Sequence, residues 1–362
     1  MIAGGGTGGH LYPGLAAAAE FVKLAPGNQA EFIGTKKGIE ARVLPGSGYS
    51  LKFISIGGFL GKSAGRKIFF PLSFFTATLQ SLFYMISERP DAVLGTGGYV
   101  SAPPVLAAWM LRIPVSLLAL DVMPSKAVRF LSRFAREIYG GFPECSQYLS
   151  KNAKVIFTGN PIRREMGNIS NEQGIREFGL ESGKKTILVF GGSQGAHSIN
   201  LAVLDSLPHL DQAGHLRDIQ IIFQTGPKDL GLVTEKCQGS KTMIKVLAYI
   251  DKMPSAMAAA DLVISRSGAG VSETLACGLP SILIPFPYAA SNHQEYNARS
   301  LEKAGAAEMI LDAELNGQVL SRKITEILFN REKHSQMAKA AGALARPGAA
   351  REIAGKIFKL SQ

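Results

Sequence analysis

A glycine-rich turn recurs three times in this 362-residue chain, and its setting restricts the fold more than any other feature. Gly4-Gly5-Gly6-Thr7-Gly8-Gly9-His10 lies at the start, Gly95-Thr96-Gly97-Gly98-Tyr99 follows, and Gly191-Gly192-Ser193-Gln194-Gly195 comes last. The second and third directly follow the apolar runs Ala92-Val93-Leu94 and Ile187-Leu188-Val189-Phe190, and all three precede small, helix-compatible residues. Strand, glycine turn and helix in succession point main-chain N–H groups and a helix N-terminus at an anion. One such turn also serves a tight bend with no ligand. Three of them, spread over both halves, predict two facing sites for nucleotide- or phosphate-type groups.

The rest of the chain alternates in the same way. Apolar segments 30–33, 92–94, 114–118 and 154–158 read as strands, with helical stretches such as 13–24 and 102–111 between them. The second half repeats the pattern with segments 187–190, 219–224, 245–248, 262–264 and 281–284. Strands spaced by helices predict right-handed crossovers and parallel sheets covered on both faces. This length exceeds one ordinary core, so two α/β domains are expected. Gly159-Asn160-Pro161-Ile162-Arg163 is a glycine–proline break suited to a hinge, giving domains at 1–160 and 161–345. The stretch 346–362 reads as a short amphipathic helix that returns to the first domain. Only Met1-Ile2-Ala3 precede the first glycine loop, where a parallel strand usually takes about five or six residues. The expectation is a native start upstream of Met1.

Composition narrows the class. Cys145, Cys237 and Cys277 are far apart with no CxxC spacing, which argues for a reduced, cytosolic protein without a disulfide framework or a zinc site. There is no apolar run of about 18 residues to span a membrane, and no signal peptide is read. The net charge of +11 is uneven: residues 1–160 hold 16 Lys and Arg against 8 Asp and Glu. A basic first half suggests an anionic partner, either nucleic acid or an anionic membrane. No nucleic-acid-binding motif accompanies the charge, which makes nucleic acid the weaker option; the dull alternative is surplus surface lysine that serves solubility. Lys62, Arg66 and Lys67 are followed by Phe69, Phe70, Phe74 and Phe75, the basic-then-aromatic arrangement of an interfacial anchor. Part of this stretch is also expected to be a helix packed in the first domain.

The order and spacing of the motifs resemble those of one family, the bacterial MurG-type N-acetylglucosaminyltransferases of glycosyltransferase family 28. The likeness rests on Gly5-Gly6-Thr7-Gly8-Gly9-His10 with Pro13, Gly97-Gly98-Tyr99-Val100-Ser101 and Gly159-Asn160-Pro161-Ile162-Arg163. It continues through Gly191-Gly192-Ser193-Gln194-Gly195-Ala196, Tyr249-Ile250-Asp251-Lys252-Met253 and Ser265-Arg266-Ser267-Gly268-Ala269 with Ser272-Glu273. Gly278-Leu279-Pro280 and His293-Gln294-Glu295-Tyr296-Asn297-Ala298 complete it. The resemblance implies the α/β GT-B fold, two Rossmann-like domains around a cleft. It also implies inverting, metal-free transfer of N-acetylglucosamine from UDP-N-acetylglucosamine to undecaprenyl-pyrophosphoryl-N-acetylmuramoyl-pentapeptide (lipid I), giving lipid II for peptidoglycan. With it come a peripheral place on the cytoplasmic face of the inner membrane and partners in cell-wall or division complexes.

Roles can then be set on residues. Glu273 follows a glycine loop and opens a helix, where its carboxylate is suited to accept hydrogen bonds from ribose hydroxyls, as the matching family residue does. The dull alternative is an acid stabilised by the helix dipole. Arg163 offers forked donors to a diphosphate. By resemblance, Ile250 holds the uracil through its backbone, Ser193 meets the diphosphate and Gln294 meets the sugar hydroxyls. Thr7, Gly8 and Gly9 resemble substrate contacts, while Gly97, Gly98 and Tyr99 suit the acceptor pyrophosphate. His10 is placed to take a proton from the attacking muramoyl hydroxyl, or else to anchor its loop. The family's usual His-Glu-Gln-Asn is Leu118-Ala119-Leu120-Asp121 here, which makes Asp121 a second base candidate and substrate contact. Phe223 replaces a common histidine, and the loop from Ala269 to Glu273 is one residue short. Two alternatives remain at this level: another GT-B enzyme, such as a UDP-N-acetylglucosamine 2-epimerase or a different lipid glycosyltransferase, and a catalytically weak membrane-bound paralogue.

Overall fold

The computed structural model describes residues 1–57 and 70–362. The chain forms two compact units, Met1–Arg163 with Arg346–Gln362, and Arg164–Ala345. Each is built on one wholly parallel sheet.

The first sheet contains β1 (Ile2–Gly4), β2 (Glu31–Gly34), β3 (Ser50–Phe53), β4 (Val93–Gly97), β5 (Val115–Ala119), β6 (Glu137–Gly140) and β7 (Val155–Phe157). Their order is β3-β2-β1-β4-β5-β6-β7. The second contains β8 (Lys185–Phe190), β9 (Ile219–Gln224), β10 (Ile244–Leu247), β11 (Leu262–Ser265), β12 (Ser281–Leu283) and β13 (Ala307–Met309), ordered β10-β9-β8-β11-β12-β13. In both, the first strand lies inside the sheet and the order reverses beside it. This is the Rossmann-like arrangement, and such a reversal opens a crevice at the carboxyl ends of the strands. The largely apolar β4, β5, β8 and β11 are buried, apart from Lys185 at the start of β8, because helices cover both faces of a parallel sheet.

Only three residues make up β1, yet they anchor the first loop. The strand is hydrogen-bonded on both flanks, with Ile2 opposite Phe32 on one side and Leu94 on the other. Two flanking ladders supply what length does not. The helix Ala349–Leu360 belongs to the first unit: Ile353 and Ile357 pack with Leu11 and Ala18, and Phe358 lies 6.4 Å from Phe21.

The helix Phe70–Glu88 is mostly apolar, with Ser73, Thr76, Gln80 and Ser87 on one polar stripe. Ala77, Ser81 and Met85 form its buried side, with Phe74 packed against the same core. Leu72, Phe75, Leu79, Phe83 and Ile86 form the opposite side and are exposed, Phe83 by 68%. Spacings of three and four keep the five on one helical stripe. Phe74, expected on a docking surface, is therefore partly buried against the core, whereas Phe75 is exposed. Lys62, Arg66, Lys67 and Phe69 lie outside the described residues, and Phe70 begins the helix.

Candidate functional site

In the first unit, two glycine loops converge where the strand order reverses. One follows β1 and opens the helix Gly8–Leu24, with extended Thr7 as its N-cap; the other follows β4. The Thr7 side chain makes no capping hydrogen bond. His10, in the first helical turn, joins the two loops. Its Nδ1 lies 3.0 Å from the carbonyl of Thr96. A carbonyl only accepts, so Nδ1 carries the hydrogen and Nε2 holds the lone pair of the neutral ring. The ring rests on Gly97 and Gly98, where a β-carbon would come within 2.9 and 3.2 Å of it. Both glycines have positive φ, 103° and 73°, so close approach and backbone conformation each demand glycine there.

The loop after β1 is held from beneath by Glu40, whose role no sequence motif signals. Fully buried, Glu40 accepts from Gly6 N at 2.7 Å and from both the N–H and the hydroxyl of Thr35 at 2.8 Å. Half-buried Tyr99 lies above the same loop, and burial, followed by the Glu40 charge, pushes its phenol above the ordinary range. Tyr99 is thus kept as a neutral O–H. Glu40→Ala strands three donors, each at a cost of about 1–3 kcal/mol. Chemical denaturation is expected to show a loss of about 3 kcal/mol or more, and an unchanged midpoint would refute this support role.

Asp121 stands just past the end of β5, the strand beside β4. The apolar residues before it are structural: Leu118, Ala119 and Leu120 are buried, Leu118 and Leu120 in the cluster that holds Leu11 and Tyr139. Arg163 ends the first unit, its guanidinium 5.7 Å from the ring of Tyr12 on the helix that carries His10. Thr7, Gly8, Gly9, His10, Gly97, Gly98, Tyr99, Asp121 and Arg163 thus all belong to the first unit.

Ser193, Ile250, Glu273 and Gln294 belong to the second. The loop after β8 carries exposed Ser193 and leads into the helix His197–Gln212. This loop interlocks with the turn after β9. A β-carbon on Gly195 would lie 1.9 Å from the Thr225 carbonyl, and one on Gly226 would lie 2.1 Å from that of Gln194. A fourth glycine loop, Ser267 to Gly270, follows β11 at the point where the strand order reverses. Glu273 lies in the first turn of the helix Val271–Ala276 that comes next. Gln294 is fixed over this loop: its Oε1 accepts from Phe286 N at 2.9 Å, and its carbonyl accepts from the Ser267 hydroxyl at 2.7 Å. Asn297 adds a bond from Nδ2 to the Ser267 carbonyl at 3.0 Å.

Arg266 braces the surroundings. Its guanidinium donates to the carbonyls of Ile284 and Pro285, to Asp312 Oδ1 at 2.5 Å and to the Ser198 hydroxyl at 2.9 Å. One forked cation thereby ties β11, the end of β12 and the helix beginning at His197. In the sequence Arg266 was only part of a motif; an arginine adjoining a glycine loop was the available signal. Ile250 is buried, and its N–H donates to Gln224 Oε1 at 2.9 Å. Phe223, in place of the familiar histidine, is a fully buried core residue.

Comparison with known proteins identifies the family. Residues 1–140 match the glycosyltransferase family 28 N-terminal domain and residues 186–353 its C-terminal domain. A protein of Thermodesulfovibrio yellowstonii is 44% identical over 98% of this chain and 96% of its own length. One from Anaeromyxobacter sp. (strain K) is 43% identical over 99% of this chain and 92% of its own. Both are named UDP-N-acetylglucosamine–N-acetylmuramyl-(pentapeptide) pyrophosphoryl-undecaprenol N-acetylglucosamine transferase. The crystal structure of Acinetobacter baumannii MurG superposes with a TM-score of 0.79 at 29% identity, covering 99% of this chain and 98% of that one.

Proposed function

Because the chain belongs to glycosyltransferase family 28, we propose that it transfers N-acetylglucosamine from UDP-N-acetylglucosamine to undecaprenyl-pyrophosphoryl-N-acetylmuramoyl-pentapeptide, making lipid II. The observation that carries this reading is near-full-length similarity to relatives bearing that activity in their names. The fold is of the GT-B class. Fold likeness alone does not separate a transferase from an epimerase; the similarity along the whole chain favours the transferase.

On this reading the second unit takes the donor. Glu273 accepts the ribose hydroxyls, Ser193 meets the diphosphate and Gln294 the sugar hydroxyls; Arg163 is a further candidate for the diphosphate. The Ile250 N–H is already engaged by Gln224, so the backbone of this segment reads uracil through a carbonyl, which accepts the base N3–H. Removing a charged hydrogen-bond partner costs about 1.5–3 kcal/mol. Glu273→Ala is therefore expected to weaken UDP binding at least tenfold by calorimetry, and unchanged affinity would remove Glu273 from the site.

The first unit takes the acceptor. Its pyrophosphate is assigned to the Gly97-Gly98-Tyr99 loop, with Thr7, Gly8 and Gly9 beside it. The muramoyl hydroxyl gives its proton to His10 Nε2 while its oxygen bonds to the anomeric carbon. The bond from that carbon to the UDP oxygen breaks on the opposite face, which inverts the centre. Asp121 is the other base candidate. No cofactor is invoked. Among the described residues no helix is long and apolar enough to cross a membrane. The lipid acceptor stays in its bilayer, so the protein is assigned to the cytoplasmic face, docked by the stripe from Leu72 to Ile86. Purified protein incubated with radiolabelled UDP-N-acetylglucosamine and lipid I tests the whole reading. Labelled lipid II is the expected product, and donor binding without lipid-linked product would favour the catalytically weak paralogue.

A further inference from the structure

Gln224 is the last residue of β9, aligned with Phe190 of β8 on one side and Leu247 of β10 on the other. Just past those partners the two strands flanking β9 enter the loops that carry Ser193 and Ile250. The side chain of Gln224 is 2% exposed, at the end of the otherwise apolar run Ile221-Ile222-Phe223. Its amide reaches both loops: Nε2 donates to the Gly192 carbonyl at 2.8 Å, and Oε1 accepts from Ile250 N at 2.9 Å. The Gly192 carbonyl also accepts from Gly195 N at 2.9 Å, so the bond from Gln224 fastens an already closed turn to the sheet.

These bonds set the direction of two peptide planes. In a trans peptide the C=O and the following N–H point opposite ways. With the Gly192 carbonyl turned toward Gln224, the N–H of Ser193 is turned away from it. With the Ile250 N–H turned toward Gln224, the carbonyl of Tyr249 is turned away. An N–H donor suits a phosphate oxygen, and a carbonyl suits a pyrimidine N–H. We infer that Gln224 is a positioning residue for the nucleotide, fixing the Ser193 loop for the diphosphate and the Ile250 segment for the base with one buried amide. This inference rests on the assignment of the second unit to UDP-N-acetylglucosamine.

The amide's two ends can be separated. Gln224→Glu retains an acceptor for the Ile250 N–H but sets a carboxylate oxygen against the Gly192 carbonyl. Gln224→Met, neutral and of similar length, removes both bonds. Affinities for uridine and for UDP are to be measured side by side by competition titration, with thermal melting as a check on folding. Gln224→Glu is expected to weaken UDP at least tenfold while uridine changes by less than about threefold; Gln224→Met is expected to weaken both. A general packing role would lower both affinities together in Gln224→Glu, in step with melting temperature, and would overturn the inference. So would wild-type UDP affinity in Gln224→Met, since the charge of the glutamate would then explain its effect. Wild-type protein that binds no UDP would instead refute the donor assignment.

Discussion

His10→Ala is expected to slow transfer by about 100- to 10,000-fold, the usual contribution of a positioned acid–base group. The ground for this is tautomeric. The Thr96 carbonyl claims the hydrogen on Nδ1, so the neutral ring carries its basic lone pair on Nε2. His10→Asn separates chemistry from architecture, because its side-chain amide can still donate to a carbonyl but cannot act as a base. Both variants are expected to fold and to bind UDP, since Ser193, Ile250, Glu273 and Gln294 all lie outside the unit that holds His10. Single-turnover measurement with lipid I and labelled donor reads the loss directly. Near-wild-type rates in both variants, with a large loss in Asp121→Ala, would transfer the base role to Asp121. Retained turnover in all three would leave neither residue as the base.

The second large effect concerns the membrane. Phe75, Leu79 and Phe83 lie on one exposed stripe, and large apolar side chains of this kind contribute about 1.5–3 kcal/mol each when fully withdrawn from water. Even partial insertion of three makes the triple serine variant bind vesicles at least about 100-fold more weakly by that measure. Because these side chains face away from the core of Ala77 and Met85, melting should change little. Anionic vesicles are expected to bind the wild type more strongly than neutral ones, and salt should weaken the binding. Co-sedimentation checks each point. Equal sedimentation of variant and wild type would move the docking face elsewhere, as would a wild type that ignores vesicles. Phe74→Ser provides the contrast: on the packed side, it should lower stability rather than vesicle binding.

The sequence and the structure divide this protein along a physical line. Features dictated by backbone needs were legible. Glycine loops after apolar strands mark places where the chain must turn sharply and approach a ring or another loop, and all three fall at carboxyl ends of strands. Long buried strands such as β8 and β9 announce themselves by continuous apolar residues, because both faces are covered. Three strands did not: β3, Ser-Leu-Lys-Phe, lies at a sheet edge and is only partly buried, while β6, Glu-Ile-Tyr-Gly, and β13, Ala-Glu-Met, contain no apolar run longer than two residues. The helix Phe70–Glu88 hid its orientation because both of its sides are apolar. Periodicity alone cannot choose between Phe74 and Phe75; only the position of the neighbouring core does.

The amino-acid sequence by itself determined the alternation of strands and helices, the division near residue 160 and the glycine loops, since each follows from local backbone conformation and hydrophobic spacing. Tertiary structure decided which polar side chains hold those loops. Glu40 supports the first from a segment 34 residues away from Gly6, and Gln224 spans two loops 32 and 26 residues distant. It likewise made Leu118 and Leu120 core residues and gave His10 its tautomer through Thr96, 86 residues further along the chain. A hydrogen bond or a buried face exists only when the partner has been brought alongside, and that happens when the sheet closes.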